Sequence, residues 1–582
     1  MESAQANLAA QHPDLARTDL ASAHENAAAA QQTLHGIAGQ IWSRVPIAGR
    51  AVRDATHLVD AMADTVTVAE RASQVQRLVT DSNGRLIANE RVNLKALRPI
   101  LDEASQIAGP LHSASSSLDK VQGDAPFVGN YLARNAVSAE QKLEPLRAAY
   151  DRSMPALQAL PQILGTDGKK KYLIAVLNPG ELRYSGGASL SLAQMTADNG
   201  KLSFGEPEDL GALNVRKQLF TWEAVADNPL HRNRPERLSN ATFNPNWSIS
   251  GEELLRAWKV QSGNDCDGLI AIDLPGLSRL FALTGPLQVP PYGELNASNL
   301  VSELAGSYDK FGYDEQKRRH ELNNAIIPAF RNKFLSGGQY SEKLKALRDA
   351  GQARQFVMYF RDPTLQSAMD KMGVAGDLSR TKTDFIFVAT QNLNGSKADF
   401  FQRRSVAADI KINPDRSISS RVVTTMRNET PPYAGNGVDP RRGYYTRWAG
   451  SLGAVFMPDD ADVISARING KVFRRNEMTT RDRRFFFRPL MIRPGGQRNL
   501  AFSYNLKNAV SAEKDRWVYR LTVQPQSLAQ PQDWKIRVNW PENFTFDAVR
   551  NPQWKAVSAT SAEFVMSGVP MSTDLELVLE KS

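Results

Sequence analysis

Tyr172-Leu173-Ile174-Ala175-Val176-Leu177 is entered from the triplet Lys169-Lys170-Lys171 and left through Asn178-Pro179-Gly180-Glu181-Leu182-Arg183-Tyr184-Ser185-Gly186-Gly187. A short, unbroken apolar run between turn signals reads as a strand buried on both faces. Working outward, Leu190–Met195 reads as a second strand ending at the turn Asp198-Asn199-Gly200. Gly251–Trp258 then reads as a helix with Ser250 as its N-cap candidate, Gly268–Asp273 as a strand, and Pro275–Leu283 as a helix. Strand and helix alternating in this way predict an α/β layer fold over 165–383. Helical stretches around 315–334, 341–350 and 363–372 complete it.

On either side of this segment the texture differs. From 1 to 160 the chain is rich in Ala, Leu, Gln, Glu and Arg, with apolar positions at helical spacing, as in Ala51, Ala55, Leu58, Val59 and Met62. Pro46, the turn Asp81-Ser82-Asn83-Gly84 and Gly123-Asp124-Ala125-Pro126 divide it into about four helices of a bundle or stalk. From 384 to 582 period-two strands alternate with turns such as Asn469-Gly470, which predicts one or two β-sandwich modules and leaves room for a weak duplication. The expected fold is therefore multidomain α+β: helical bundle, central α/β domain, C-terminal β-sandwich region.

Composition narrows the function classes. The chain has 582 residues, 42% of them hydrophobic, enough to bury real cores and to exclude wholesale disorder. A single cysteine, Cys266, excludes an internal disulfide and a zinc site built from thiolates. No stretch approaches the roughly 18–20 apolar residues that cross a bilayer. The start, Met1-Glu2-Ser3-Ala4-Gln5, has no signal core, so the chain as it stands reads as soluble. The net charge of +9 is compatible with nucleic acid or with an acidic envelope.

Candidate chemistry centres on the exit from the first strand. Arginine suits bidentate phosphate or carboxylate binding, and strand carboxyl ends are where α/β folds place ligands, so Arg183 and Glu181 are candidate site residues. Gly186 and Gly187 would permit close backbone approach. A pairing of Arg183 with Glu181 or Asp267 in a structural network is the competing reading. A second cluster joins Arg232, Arg234 and Arg237 to Asn246 and Trp247, residues able to line an anionic-sugar cleft or simply to anchor a loop. Asp265, Asp267 and Asp273 flank a strand and offer oxygen ligands for Mg²⁺. His231 and His320 sit in polar, charged contexts that read as solvated, which disfavours histidine-based hydrolysis. In the β region, arginines from Arg474 to Arg498 surround Phe485-Phe486-Phe487 and read mainly as a solvated sheet face. No nucleic-acid module accompanies them, and nucleic acid is not an expected partner.

Several of these segments, with Cys266-Asp267-Gly268-Leu269-Ile270-Ala271-Ile272-Asp273, Leu283-Thr284-Gly285-Pro286-Leu287 and Asn392-Leu393-Asn394-Gly395-Ser396-Lys397-Ala398-Asp399, resemble the bacterial envelope family known as domain of unknown function 4012. The resemblance implies an extracytoplasmic, cell-surface protein held to the membrane by a helix ahead of the bundle, an anchor absent from this chain. More distantly, Asp265–Val289 resembles the LytR-CpsA-Psr phosphotransferases, which move glycopolymers from a polyprenyl-pyrophosphate carrier using arginines and acidic residues with Mg²⁺. Arg183 is the one position carried over as a phosphate-binding arginine. The strand that should bear an acidic residue reads Ala188-Ser189-Leu190-Ser191, and Glu208-Asp209-Leu210 offers no counterpart to the expected Pro-Arg-Asp. The expectation is a non-catalytic envelope protein that binds or organises surface polysaccharide or protein partners. The alternative is a divergent phosphotransferase, or a binder of lipid-linked glycan.

Overall fold

The computed structural model describes residues 13–46, 48–82, 86–210, 218–290, 293–306, 316–335, 340–432, 439–443, 446–474, 476–513 and 515–582. Two compact units result, one comprising 13–169, 197–202 and 335, the other 170–196, 203–334 and 340–582.

The first unit is helical: α1 (Pro13–His35), α2 (Ile37–Trp42), α3 (Ala48–Asp81), α4 (Leu94–Ser105), α5 (Ala108–Asp119) and α6 (Gly129–Ile163), with a short hairpin of β1 (Ile87–Ala88) and β2 (Arg91–Val92). Pro46 and Gly123–Pro126 do mark helix breaks, and α3 stops at Asp81; Asn83 and Gly84 lie outside the described residues. Leu111, Ala114 and Leu118 recur on one face of α5 and pack with Ala61 of α3 and with Ala136 and Leu143 of α6. Asn93 caps α4 by accepting from the Ala96 amide at 3.2 Å.

In the second unit, β3 (Lys170–Arg183) is the strand expected from the opening run. It lies between β4 (Gly186–Asp198) and β7 (Gly268–Asp273), and β10 (Phe356–Phe360) closes the order β4-β3-β7-β10. β3 and β7 are parallel, Tyr172 opposite Gly268 through Leu177 opposite Asp273, whereas β10 runs antiparallel to β7. Short β5 (Lys201–Phe204) and β6 (Glu208–Asp209) follow β4, and β8 (Leu287–Val289) pairs with β9 (Gly293–Leu295). Both faces of β3 are covered. Leu173, Ala175 and Leu177 pack under α7 (Trp247–Ser262), and Val176 packs against Leu274, Leu277 and Phe281 of α8 (Leu274–Thr284). The helix α7 starts three residues earlier than Ser250, whose hydroxyl turns back to the Asn244 carbonyl at 2.7 Å instead of capping. Helices α9 (Gln316–Leu335), α10 (Tyr340–Gln352) and α11 (Pro363–Met372) fall where the sequence places them; residue 315 lies outside the described residues.

The β region is a sandwich with one continuous core. One sheet has the order β17-β18-β14-β11-β21-β26-β23, with β20 also on β21. These strands are β11 (Asp384–Asn392), β14 (Ala449–Pro458), β17 (Asn476–Thr480), β18 (Arg483–Ile492), β20 (Val510–Glu513), β21 (Arg516–Pro525), β23 (Phe544–Phe546) and β26 (Thr573–Lys581). The other has the order β16-β15-β19-β13-β12-β22-β25-β24. Here the strands are β12 (Gln402–Ile412), β13 (Ile418–Asn428), β15 (Asp462–Ile468), β16 (Lys471–Val472), β19 (Gln497–Leu506), β22 (Gln532–Asn539), β24 (Lys555–Ser558) and β25 (Ser561–Gly568). Each sheet contains a parallel seam, β11 with β21 and β12 with β22, flanked by antiparallel neighbours. The succession β11, β12, β13, β14 is thereby matched by β21, β22, β25, β26: two halves share both sheets and a single core from Ile386 to Leu579.

The first sheet is buried on its outer face too along β11, β14 and β18. Phe385, Phe387, Phe456 and Phe485 point away from the sandwich core and pack with Tyr184 and Leu378 of the α/β layer. Phe486, one residue on, enters the sandwich core. The period-two reading of a solvated arginine face therefore fails at Arg483, which is buried over the Phe385 ring and donates to the carbonyls of Ser379 and Thr381. Arg474, Arg481 and Arg493 are exposed as expected, and Arg475 lies outside the described residues.

Candidate functional site: the carboxyl ends of the parallel strands

β3 continues past the level of Asp273, so residues 178–183 overhang the crevice where an α/β sheet of this kind takes its ligand. The glycines of the hairpin serve that overhang. A Cβ on Gly187 would sit 2.3 Å from the Asn178 carbonyl carbon, and Gly186 holds φ +142°. The close approach they allow is to the chain's own backbone.

What fills the crevice comes from the β-sandwich. Asp273 caps α8 through the Gly276 amide at 2.8 Å, and its other oxygen accepts from the Ser527 hydroxyl at 2.5 Å. The Leu182 amide donates to Asp399 at 2.9 Å, and Glu181 pairs with Lys397 at 2.7 Å. Gln526 donates to the Arg183 carbonyl at 2.7 Å and accepts from Arg404 at 3.0 Å. Burial pushes Asp273 up to about 7, against the pull of Ser527, Gly276 and Arg279. It likewise pushes Asp399 up to about 6, although Asn392, the Leu182 amide and Arg183 favour its charged form.

The Arg183 side chain is only 7% exposed. It donates to the Leu182 carbonyl at 3.0 Å and to Asn240 at 3.3 Å, and its guanidinium lies 5.2 Å from the centre of the Phe243 ring. Arg232 approaches the same ring at 5.0 Å. Asn240 in turn donates to Glu236 at 2.5 Å, and Glu236 pairs with Arg234 at 2.9 Å and with Arg232 at 3.6 Å. Burial depresses the Arg183 pKa, with Glu181 and Asp399 opposing it. Burial raises that of Glu236, but Asn240, Arg234 and the charge of Arg232 outweigh it and leave the carboxyl below its ordinary value.

Arg183 and Arg232 are thus brought together, with Arg234 one carboxylate further out. Glu181 engages Lys397 instead of Arg183. Trp247 and Asn246 stand apart and fully buried: the Trp247 indole donates to the Ser185 carbonyl at 3.0 Å, and Asn246 bridges the Leu378 amide and Thr480. His231 is a half-buried partner of Glu253 at 2.9 Å, where the sequence suggested a solvated loop residue. Glu253 also accepts from the Trp222 indole, the Val225 amide at 2.8 Å and Asn228 at 3.0 Å. The side chain of His320 lies outside the described residues. The cavity enclosed by Arg232, Glu236, Asn240, Phe243, His231 and Glu253 has a volume of about 10 Å³, room for one water.

The three aspartates do not form one cation site. Asp265 is held by Lys259 and Arg361, both at 2.6 Å, and lies at about 2, driven down first by the Lys259 hydrogen bond. Asp267 accepts from the Lys171 amide at 2.7 Å. Asp273 is at the other end of β7, about 20 Å away at ~3.3 Å per residue. Among the described residues no group of three or more His, Cys, Asp or Glu side chains is placed to hold a metal ion.

Residues that the sequence did not single out decide the character of this corner. Asp399 and Lys397 lie in a segment that carried the family resemblance, but Glu236, Glu253, Gln526 and Ser527 belong to no motif.

Residues 167–308 match the family model described as "Protein of unknown function (DUF4012)". That segment contains β3, β7 and the whole arginine cluster. No curated protein matches the chain. Among solved structures, the chain is similar to a putative nutrient binding protein from Legionella pneumophila, at 11% identity over 34% of this chain and 72% of that one, with a TM-score of 0.23. TagV from B. subtilis matches at 13% identity over 36% and 80%, TM-score 0.23. An M1 zinc metallopeptidase from Deinococcus radiodurans matches at 13% identity over 31% and 41%, TM-score 0.17.

Proposed function

We propose that this chain is a non-catalytic, extracytoplasmic protein of the cell envelope that binds or organises surface glycopolymer or protein partners. One observation carries the reading. The strand ends where a phosphorylated ligand would sit are occupied by Asp399, Lys397, Gln526 and Ser527 of the same chain. A ligand entering there would have to replace hydrogen bonds to buried groups, each replacement costing on the order of 1–3 kcal/mol. Arg183, the natural phosphate ligand, already directs one N–H of each terminal nitrogen at the Leu182 carbonyl and Asn240.

A divergent phosphotransferase, or a binder of polyprenyl-pyrophosphate-linked glycan, is the second reading. It is favoured by Arg183 and Arg232 meeting on one aromatic ring, and by the buried Arg183 Nε, which has no partner among the described residues.

Titration with a short polyprenyl-pyrophosphate analogue, with and without Mg²⁺, separates the two. The first reading expects neither turnover nor saturable binding at this corner, alongside retention of the chain on isolated envelope polysaccharide or proteins. Phosphate-releasing turnover that disappears in Arg183→Ala would establish the second.

A further inference from the structure

Two connections in the helical unit repeat one local design. The α2–α3 connection reads Val45-Pro46-Ile47-Ala48-Gly49 and the α5–α6 connection Ala125-Pro126-Phe127-Val128-Gly129: each is a proline, two apolar residues and a glycine after a small or branched residue. In both, the glycine amide donates to the carbonyl four residues earlier at 2.8 Å, Gly49 to Val45 and Gly129 to Ala125. In both, a side chain at the glycine would strike the carbonyl oxygen six residues earlier, at 2.2 Å from Ser43 and 2.3 Å from Gly123. The backbone of each connection thus folds back over itself. Ile47 itself lies outside the described residues.

The two connections are neighbours. Buried Asp54 accepts from the Gln122 and Gly123 amides at 3.0 and 2.9 Å, and Arg50 pairs with Asp124 at 3.1 Å. Around them stands a set of large apolar side chains in water: Ile37, Ile41 and Trp42 beside the first connection, Phe127, Val128 and Tyr131 at the second. Phe127 is fully exposed and holds φ +69°, a conformation that sterics disfavour for any residue with a side chain. The positive φ closes a γ-turn, the Val128 amide donating to the Pro126 carbonyl at 2.9 Å, and the turn carries the Phe127 ring into solvent, where none of the described residues covers it. Three further arginines, Arg44, Arg53 and Arg134, lie in the same stretches beside the Arg50–Asp124 pair, and the Asp54 carboxylate there is held by the Gln122 and Gly123 amides.

We infer that this tip inserts shallowly into the headgroup region of an anionic lipid bilayer. Two adjacent apolar prominences suit a deformable interface better than a protein groove. Tryptophan and tyrosine partition to the level of lipid headgroups, and arginine meets their phosphates. Contact would be peripheral, since no helix among the described residues is long and apolar enough to cross a membrane. The inference is independent of what happens at Arg183.

Flotation of the full chain with vesicles tests it. The parent protein is expected to float with phosphatidylglycerol-containing vesicles, to release at high salt and to bind pure phosphatidylcholine weakly. Trp42→Ser with Phe127→Ser should weaken binding at least about tenfold, and Arg44→Ser about fivefold. Phe127→Gly separates docking from folding: it relaxes the backbone, so the protein should melt no lower than the parent and yet bind less well. The inference is overturned if the parent does not float, or if flotation is unchanged by these substitutions. It is equally overturned if sedimentation shows a dimer that the double substitution dissolves, which would assign the tip to a second copy of the chain.

Discussion

The arginine corner and the helical tip invert the ordinary distribution of side chains in opposite senses. At the corner, Arg183, Glu253, Asp273 and Asp399 are buried among hydrogen-bonding groups. At the tip, Ile37, Trp42 and Phe127 stand in water. Charge inside is held largely by the protein's own hydrogen bonds, the Arg183 Nε excepted, and removing it should hurt the fold. Apolar surface outside has no internal partner to lose, and removing it should leave the fold untouched. The pair shows why an unusual residue is a better guide to function when its needs are unmet than when they are met.

The sharpest way to break this contrast is Glu253→Ala. It would leave the Trp222 indole, the Val225 amide, Asn228 and His231 without their acceptor, so a loss of about 3–5 kcal/mol is expected by chemical denaturation. A loss near zero would mean that the polar interior is not what holds this corner. Arg183→Ala should cost about 2–3 kcal/mol, whereas Arg183→Met, which keeps the packing against Phe243 and removes the desolvation of the charge, should cost less than half of that. Equal losses would argue that the charge itself is needed.

The dependence of stability on pH comes next in size. Burial raises Asp273 to about 7 and Asp399 to about 6, so between pH 4 and those values the folded state holds more protons than the unfolded one. Stability should therefore fall as pH rises from about 4 to about 7, then level. Asp265, held at about 2 by Lys259 and Arg361, acts in the other direction and loses its contribution as pH falls from about 4 toward 2. A melting temperature that peaks near pH 4–5, with the fall above it shallower in Asp273→Asn, is the expected profile. Smallest of all, Ile41→Ser and Trp42→Ser should change stability by no more than about 0.5 kcal/mol. A loss above about 2 kcal/mol would show that the tip is part of the core after all.

The alternation of the α/β layer was legible because Tyr172–Leu177 and Gly268–Asp273 are short apolar runs set between helical patterns. Arg183 was legible as a special residue because an arginine follows the apolar run Tyr172–Leu177, although the strand itself continues through it. Its enclosure was not: Gln526, which binds its carbonyl, lies 343 residues downstream and has no sequence mark of its own. The coverage of the outer sheet face was equally hidden. In Arg483-Arg484-Phe485-Phe486 a two-sided burial interrupts the alternation, and arginine composition pointed to solvent where Phe385 and the Ser379 carbonyl were waiting. The matched strand order of the two halves of the β region was not legible either, because the paired strands correspond in sheet position and not in their residues.

The parallel seams set a schedule for synthesis. The strand β11 is apolar and buried over nearly its whole length, yet its partner β21 begins at Arg516, more than a hundred residues later. At ~5–20 residues per second, a growing chain would show that unpaired edge for on the order of ten seconds. Throughout that interval it is open to pairing with a neighbouring chain, so production of this protein should be limited by how well the nascent β region is shielded before its second half arrives.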